Sequence, residues 1–430
     1  MPVPQPVFAV IIPVLNKWEL TRDCLESLAR HTPEYPFEVL VADNASSDAT
    51  VSELVPCGQA LFGCAFTRLR SEDKRNFGPA CNDAARLARA PLLFFLNNDT
   101  RLTPGWAPPL VRTFLPPESL DGLASSTGGK VPAQAGSIPG AVGPLLLYED
   151  DTVQHLGVAL APSGFTHLYG RFPAAHPAVR SRRRLQAITA AALMIPGDLF
   201  RDCGGFYEEY RNGFEDVELC LRIRERGKTL SVVPDSVVYH LESRTPGRKD
   251  HDDHNAALLR SRCGSSFAVD LHQHGARDGF AVFVDDLLDI SLRLTEKDEA
   301  AVSAAARGRT PADWLGLVRE QPFWAGGREW LAAALEDKGA LSDALYLRAE
   351  AAQQLPTVEN YTRLVRLAAR AGDSAVLEQA ERRLNLMLEY RADKDMARRR
   401  ARYILAQTAG RRDVFLESLY REKLRALHGE

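Results

Sequence analysis

Short apolar runs, each closed by a polar cluster, recur through the first hundred residues. Residues 7–12, 37–42, 65–69 and 92–96 are too short for helices of normal length. They are rich in β-branched and aromatic side chains, so they predict strands, the last of them (Leu92 to Leu96) buried on both faces. Between them, Leu20, Cys24, Leu25 and Leu28 recur at helical spacing, and residues 78–89 are Ala-rich and helix-prone. Strand and helix in alternation predict an α/β domain with a parallel sheet and right-handed crossovers. All four strands then point one way. The clusters 13–16, 43–48, 70–76 and 97–99 gather along one edge, where open α/β sheets hold ligands. The plainer reading is that these are ordinary polar turns, and a lone carboxylate such as Asp99 is more often a turn residue than a ligand.

Beyond residue 115 the texture changes. Residues 125–143 are rich in Gly, Ala, Ser and Pro and predict a loop. Residues 143–148 and 152–160 predict strands around the acidic turn Glu149-Asp150-Asp151. The basic run Arg182-Arg183-Arg184 predicts a solvated face, with contact to an anionic ligand as the alternative. Residues 187–195 are small, apolar and buried. Val217, Cys220 and Leu221, with Gly227 as a stop, describe a helix of about three turns, and Glu215 and Asp216 stand at its start. An acid there is an N-cap or a carboxylate held ionised by the helix dipole. Residues 230–233 and 236–240 predict two closing strands. From about residue 285 the chain is rich in Ala, Leu, Arg and Glu and predicts helices throughout. Gly308, Gly339, Gly372 and Gly410 recur at intervals of 31, 33 and 38 residues, resembling a degenerate tetratricopeptide array that stacks as a solenoid. His251-Asp-Asp-His254 predicts a solvated linker rather than a metal pair.

The 430 residues allow two or three domains, and 45% apolar with 25% charged content is ordinary for a globular chain. A net charge of -3 gives no basic field for nucleic acid. Seven cysteines with no C-x-x-C pair argue against a disulfide framework and a cysteine zinc site. No signal-length apolar core follows the N-terminus, and no run approaches the ~20 residues that cross a bilayer. The expected location is therefore cytoplasmic, with a peripheral position on the inner face of the membrane as the alternative. The glycosylation patterns at Asn44 and Asn98 fall on the site clusters, which also speaks against passage through a glycosylating compartment. The phosphate-binding patterns G-x-x-x-x-G-K-[ST] and G-x-G-x-x-G and the elbow G-x-S-x-G are missing. A phosphate-bearing ligand would need a cation, and Asp99 is placed to hold Mg²⁺ or Mn²⁺.

Seven segments in order carry a resemblance. Val10-Ile-Ile-Pro-Val-Leu-Asn16, Val41-Ala-Asp-Asn-Ala-Ser-Ser-Asp48, Asn76-Phe-Gly-Pro-Ala-Cys-Asn82 and Phe95-Leu-Asn-Asn-Asp99 come first. Gly204-Gly-Phe-Tyr207, Glu215-Asp-Val-Glu-Leu-Cys-Leu-Arg222 with Gly227, and Tyr239-His240 follow. Together, across about residues 7–245, they resemble family 2 glycosyltransferases of the GT-A fold. The Asn-Asn-Asp triad is similar to that of rhamnosyltransferase-like members, which use a deoxythymidine-diphosphate sugar. Asn97 stands where many relatives have Asp, so the site has one negative charge fewer.

The resemblance implies a Rossmann-like mixed sheet domain over 1–250, a linker over 251–284 and an all-α, solenoid-like domain over 285–430. It implies an inverting, metal-dependent transferase moving sugar from a nucleotide-diphosphate sugar to an acceptor hydroxyl. On a glycan, a lipid-linked acceptor or a protein, that hydroxyl would belong to cell-envelope or polysaccharide biosynthesis. Pro13, Val14, Leu15 and Asn16 line the nucleoside pocket, with Asn76 and Gly78 near it. Asp43 contacts the base, Asn97 and Asn98 flank the donor, and Asp99 with His240 binds Mn²⁺ or Mg²⁺. Asp216 is the general base and Glu215 the second candidate. The C-terminal helices recruit an acceptor or a protein partner, support self-association, or only cap the fold. A nucleotidyltransferase and a non-catalytic solenoid adaptor are the rival functions.

Overall fold

The apolar runs become neighbouring strands of one sheet. In chain order the first elements are β1 (Phe8–Val14), α1 (Trp18–Arg30), β2 (Phe37–Asn44), α2 (Thr50–Phe62), β3 (Phe66–Ser71), α3 (Phe77–Leu87) and β4 (Leu92–Leu96). The pattern gave no sign of α2, which Pro56 and Gly58 interrupt; a Cβ on Gly58 would lie 2.3 Å from the Phe66 ring. Next come β5 (Thr100–Leu102), α4 (Ala107–Phe114), β6 (Ile138–Leu147), β7 (Val153–His155), β8 (Val158–Ala161), β9 (Gly164–His167) and α5 (Pro177–Arg180). Then follow β10 (Ala192–Pro196), α6 (Gly197–Asp202), α7 (Glu215–Glu225), β11 (Lys228–His240) and α8 (Asp252–Cys263). This is a computed structural model, and it describes residues 5–115, 138–241, 251–264, 266–406 and 412–428. Most of the predicted loop over 125–143 and the polar stretch 242–250 lie outside the described residues.

The sheet order is β3-β2-β1-β4-β10-β6-β11-β5, with β7 beside β6. β3, β2, β1 and β4 are parallel, so their C-terminal ends share one edge. β10 runs antiparallel to both β4 and β6, and β5 antiparallel to β11, which makes the sheet mixed. The two closing strands predicted at 230–233 and 236–240 are one strand, β11. Its register against β6 shifts between Val233 and Val237, around Pro234, which has no N–H to give the ladder.

All five residues of β4 are buried, as its unbroken apolar run requires. Successive side chains point to opposite faces. Phe94 packs against Trp106, centroids 4.6 Å apart, while Phe95 packs against Phe200 and Phe206 at 4.9 and 5.0 Å. Trp106 also meets Phe8 edge-on, and its indole N–H donates to Thr32 Oγ1 at 3.0 Å. Each face of the sheet thus has its own aromatic layer.

The chain divides into two units. The first is Met1–Val158 with His167–Ser266, and the second Ala159–Thr166 with Phe267–Glu430. The division differs from the expected boundary at 250, because α8 belongs to the first unit. The expected linker over 251–284 is instead α8, α9 (Leu271–Arg277) and β12 (Ala281–Val284). His251 and His254 are exposed, but Asn255, Leu259 and Cys263 recur every four residues and are buried. Arg183 also departs from expectation. It is buried, with Nε donating to Ser181 O at 3.3 Å, Nη2 to Ala178 O, and its guanidinium 5.2 Å from the Tyr169 ring centroid.

In the second unit β12 pairs with β13 (Ile290–Arg293). The helices are then α10 (Glu296–Ala306), α11 (Pro311–Glu320), α12 (Ala325–Asp337), α13 (Leu341–Gln354), α14 (Val358–Ala371), α15 (Ser374–Ala392), α16 (Lys394–Ala406) and α17 (Val414–His428). Each packs on the next in sequence. Gly308, Gly339 and Gly372 take left-handed φ of 74°, 74° and 73° just after three of these helices, a backbone that suits glycine; Gly410 lies outside the described residues. From α10 onward the described residues are mostly helical as the sequence predicts, but β13 falls inside the range expected to be all-α.

Phe94→Ala should cost about 3–5 kcal/mol, the range for deleting a core aromatic side chain. Urea unfolding followed by tryptophan fluorescence reads this directly. A loss under about 1 kcal/mol would show that β4 is not the centre of the core.

Candidate active site

The ends of β1 and β2 are tied together by their own polar residues. Pro13 and Val14 end β1, and Leu15 leads into Asn16 and Lys17, both left-handed at φ 59° and 60°. Asn16 N–H donates to Ser46 Oγ at 2.9 Å, and its side-chain oxygen accepts Ser47 N–H at 2.7 Å and Asp48 N–H at 3.3 Å. Asp48 accepts Trp18 N–H at 3.1 Å and Thr50 N–H at 3.0 Å, serving the starts of α1 and α2. Burial opposes its ionisation, but these bonds outweigh it and hold the carboxyl below its ordinary range.

Asp43 is enclosed, with a side chain 0% exposed. One oxygen accepts Ser46 N–H at 3.0 Å. The other accepts Arg68 Nε at 3.0 Å, Arg70 Nη1 at 2.8 Å and Arg68 Nη2. Burial again raises the cost of its charge, and the Ser46 and Arg68 contacts reverse that, leaving its pKa lowered. Asn44 carried only a glycosylation pattern in the sequence and was not named as a site residue. Its side chain accepts Arg75 N–H at 2.5 Å and donates back to Arg75 O, fixing the backbone next to Asn76. Asn76 is the extended residue before α3. Gly78 lies within α3 where it meets the turn at 206–207; a Cβ there would be 3.2 Å from Phe206 Cβ.

At the end of β4, Asn98 donates to Thr21 Oγ1 at 2.9 Å. Asp99 Oδ1 and His240 Nε2 lie 3.2 Å apart, with side chains 17% and 7% exposed. Asn97 Nδ2 is 3.3 Å from the same Nε2. Gln154 fixes His240 from behind. Its Oε1 accepts from His240 Nδ1 at 2.7 Å, and its Nε2 donates to His240 O at 3.1 Å. Nδ1 therefore carries a proton, and Nε2, facing Asp99, is the nitrogen left to bind a metal. Ligands at right angles, ~2.1 Å from one octahedral ion, are about 3.0 Å apart, so the Asp99–His240 spacing suits a Mg²⁺-sized ion. No group of three His, Cys, Asp or Glu that could hold a metal occurs among the described residues. An ion here would complete its shell from phosphate oxygens and water.

Asp216 and Glu215 open α7, after Phe214 at φ 71°. Glu215 is buried and its Oε2 accepts Gly213 N–H at 2.6 Å. Asp216 is half-buried; it accepts Val217 N–H at 2.8 Å and Ala190 N–H at 3.0 Å. The turn at 189–191 connects it to the triad, because Asn97 N–H donates to Ala191 O at 2.8 Å. Thr189 N–H donates to His155 Nε2 at 3.1 Å. Burial pushes His155 well below the ordinary imidazole range, so the ring is neutral, and its Nδ1–H donates to His167 Nδ1 at 2.8 Å. Neither Gln154 nor His155 carried a sequence signal beyond its polarity. The structure thus draws Asn97, Asp99, His240 and Asp216 into one bonded neighbourhood. It sets Asp43 and Asn16 at the adjoining strand ends and Gly78 in a packing contact.

Residues 9–124 match the family described as glycosyl transferase family 2. An uncharacterised protein of Sinorhizobium fredii is 28% identical over 59% of this chain and 26% of its own length. The O-antigen biosynthesis protein RfbC of Myxococcus xanthus is 28% identical over 55% of this chain and 17% of its own. An N-acetylglucosaminyl-diphospho-decaprenol L-rhamnosyltransferase of Mycobacterium tuberculosis is also 28% identical, over 55% of this chain and 76% of its own. The chain thus spans 26% and 17% of the first two relatives. The family match covers β1 to β4 and the triad, and the longer alignments take up over half of the chain, so the N-terminal domain is similar to the family 2 glycosyltransferases.

Proposed function

We propose that this chain is an inverting glycosyltransferase that moves a sugar from a nucleotide-diphosphate sugar to an acceptor hydroxyl. The observation that carries the reading is the joining of Asp99, His240 and Asp216 through the turn at 189–191. Asp99 and His240 would hold Mn²⁺ or Mg²⁺, which when bound acts as a Lewis acid on the diphosphate. The strand-end residues Pro13 to Asn16, with Asp43, Asn76, Asn97 and Asn98, form the donor side. Arg68 and Arg70 both donate to Asp43, so Asp43 would read a base while paired with them.

In the transfer, the acceptor O–H attacks the anomeric carbon from the face opposite the diphosphate. The new C–O bond forms as the C–O bond to phosphate breaks, the electron pair leaves with the nucleoside diphosphate, and the proton passes to Asp216. Each Asp216 oxygen accepts one backbone N–H and keeps a lone pair for that proton. Glu215 is the weaker candidate because it is more buried and bonded into its own loop. We further propose a deoxysugar donor and a cell-envelope glycan or lipid-linked acceptor, in line with the names of the Mycobacterium and Myxococcus relatives. The helices of the second unit are read as a solenoid-like surface for acceptor or partner. Among the described residues no helix is long and apolar enough to cross a membrane. A nucleotidyltransferase would consume nucleoside triphosphate and release pyrophosphate, which separates the two enzyme readings.

A panel of nucleotide sugars with Mn²⁺ or Mg²⁺ tests the reading first. A true donor at 100 times its dissociation constant should add about 2.7 kcal/mol to unfolding stability. No stabilisation by any of them, and no nucleoside diphosphate release, would sink the proposal. Asp99→Ala should remove most activity and abolish the metal dependence of nucleotide binding; full activity of that variant, or of wild type in excess chelator, contradicts the metal role. Asp216→Asn keeps the shape but takes no proton, so transfer should fall ~10²-fold or more with donor affinity nearly unchanged, while Glu215→Gln costs less. If Glu215→Gln is the variant that fails, the base is Glu215.

A further inference from the structure

The residues leading into α7 follow an unusual course. Asn212 and Phe214 are left-handed at φ 55° and 71°, conformations that non-glycine residues seldom adopt. A segment of this kind persists only when its surroundings over-determine it. Here the surroundings are a side chain of α8 and a backbone N–H of α3. Asn255, on α8, is 0% exposed. Its Oδ1 accepts Arg211 N–H at 3.0 Å, and its Nδ2 donates to Arg211 O at 3.1 Å, so one amide captures both polar groups of that residue. Asn212 Oδ1 then accepts Phe77 N–H at 2.8 Å, at the start of α3. Gly213 follows, and a Cβ there would lie 3.3 Å from Asn255 Nδ2, so the loop fits closely against the amide.

The helix that carries Asn255 is itself fixed to α7. Arg262 donates to Glu218 Oε1 at 2.9 Å and 3.3 Å, and its guanidinium lies 3.4 Å from the Tyr207 ring centroid. The buried face of α8 is otherwise apolar, at Leu259 and Cys263. Packing alone would be met by a third apolar side chain. A buried amide is favourable only where its hydrogen bonds are satisfied, and those of Asn255 are spent on the loop that enters the helix of Asp216.

We propose that Asn255 is a positioning residue for transfer: it holds 211–214 in the course that sets the first turn of α7, and with it Asp216, at the acceptor. The inference rests on the reading of Asp216 as the base.

The test uses the full-length chain and the nucleotide sugar that most raises the wild-type melting midpoint. Nucleoside diphosphate release is the readout, with water as acceptor. Asn255→Ala should lower kcat about 10-fold or more while donor KM changes by less than about twofold. In the Asp216→Asn background the same change should add less than about twofold, because Asn255 acts through Asp216. Leu259→Ala, on the same buried face, controls for general loosening. Were it to lower kcat as far as Asn255→Ala does, the effect would be structural and the proposal overturned. Full additivity with Asp216→Asn, or wild-type kcat in Asn255→Ala, overturns it equally. If Asn255→Ala does not fold, Asn255→Asp is measured in its place. It keeps the bond from Arg211 N–H, sets a carboxylate against Arg211 O, and should show the same kcat loss and the same non-additivity. A wild type that turns over no nucleotide sugar removes the transferase reading and this inference with it. An active wild type with a fully active Asp216→Asn removes the base assignment instead.

Discussion

The bond from Asn97 N–H to Ala191 O, 2.8 Å long, is the contact on which the site depends. It exists because β10 lies antiparallel to β4, so the residues entering β10 meet those leaving β4. A parallel strand at that place would bring its C-terminal end there instead. The turn so placed spends its N–H groups on side chains: Thr189 to His155, Ala190 to Asp216, and Ala191 to Thr189 Oγ1 at 3.2 Å. One short stretch of backbone thereby joins the candidate metal ligands to the candidate base.

What the sequence disclosed follows from which physical signal each element carries. β4 is an unbroken apolar run with aromatic residues, and that composition has one cheap solution, a strand covered on both faces. The polar ends of β1, β2 and β4 then fall on one edge by topology alone. α8 was misread as a linker because its polar residues lead in sequence, while the buried face appears only as Asn255, Leu259 and Cys263 at spacing four. An amide on that face looks like a solvated position until its backbone partners are known. Gln154 and His155 were invisible for a related reason: their partners, His240 and Thr189, lie 86 and 34 residues away. β11 was split in two because Pro234 reads as a strand end, yet it only marks a bulge.

Asp43 shows where a resemblance and a geometry bear on each other. Its place at the end of β2 is the expected one, but its carboxylate faces two guanidiniums and a backbone N–H rather than open solvent. Its one negative charge is thus paired with two guanidiniums. Arg70 is the more exposed of the two arginines, 35% against 16%. A ligand approaching this strand end therefore meets a guanidinium edge before it meets the acid.

The Asn at position 97 has a parallel logic. An Asp there would add a charge but would have no proton to offer His240 Nε2. Asn97 does offer one, at 3.3 Å, and that long bond is weaker than the 2.7 Å bond from His240 Nδ1 to Gln154. The ring is therefore held by Gln154, which also bonds the histidine's own carbonyl. Asn97 can release Nε2 to a cation without the ring losing its orientation. A cation at this site would meet, in place of the missing charge of the triad, a histidine ring already oriented by Gln154.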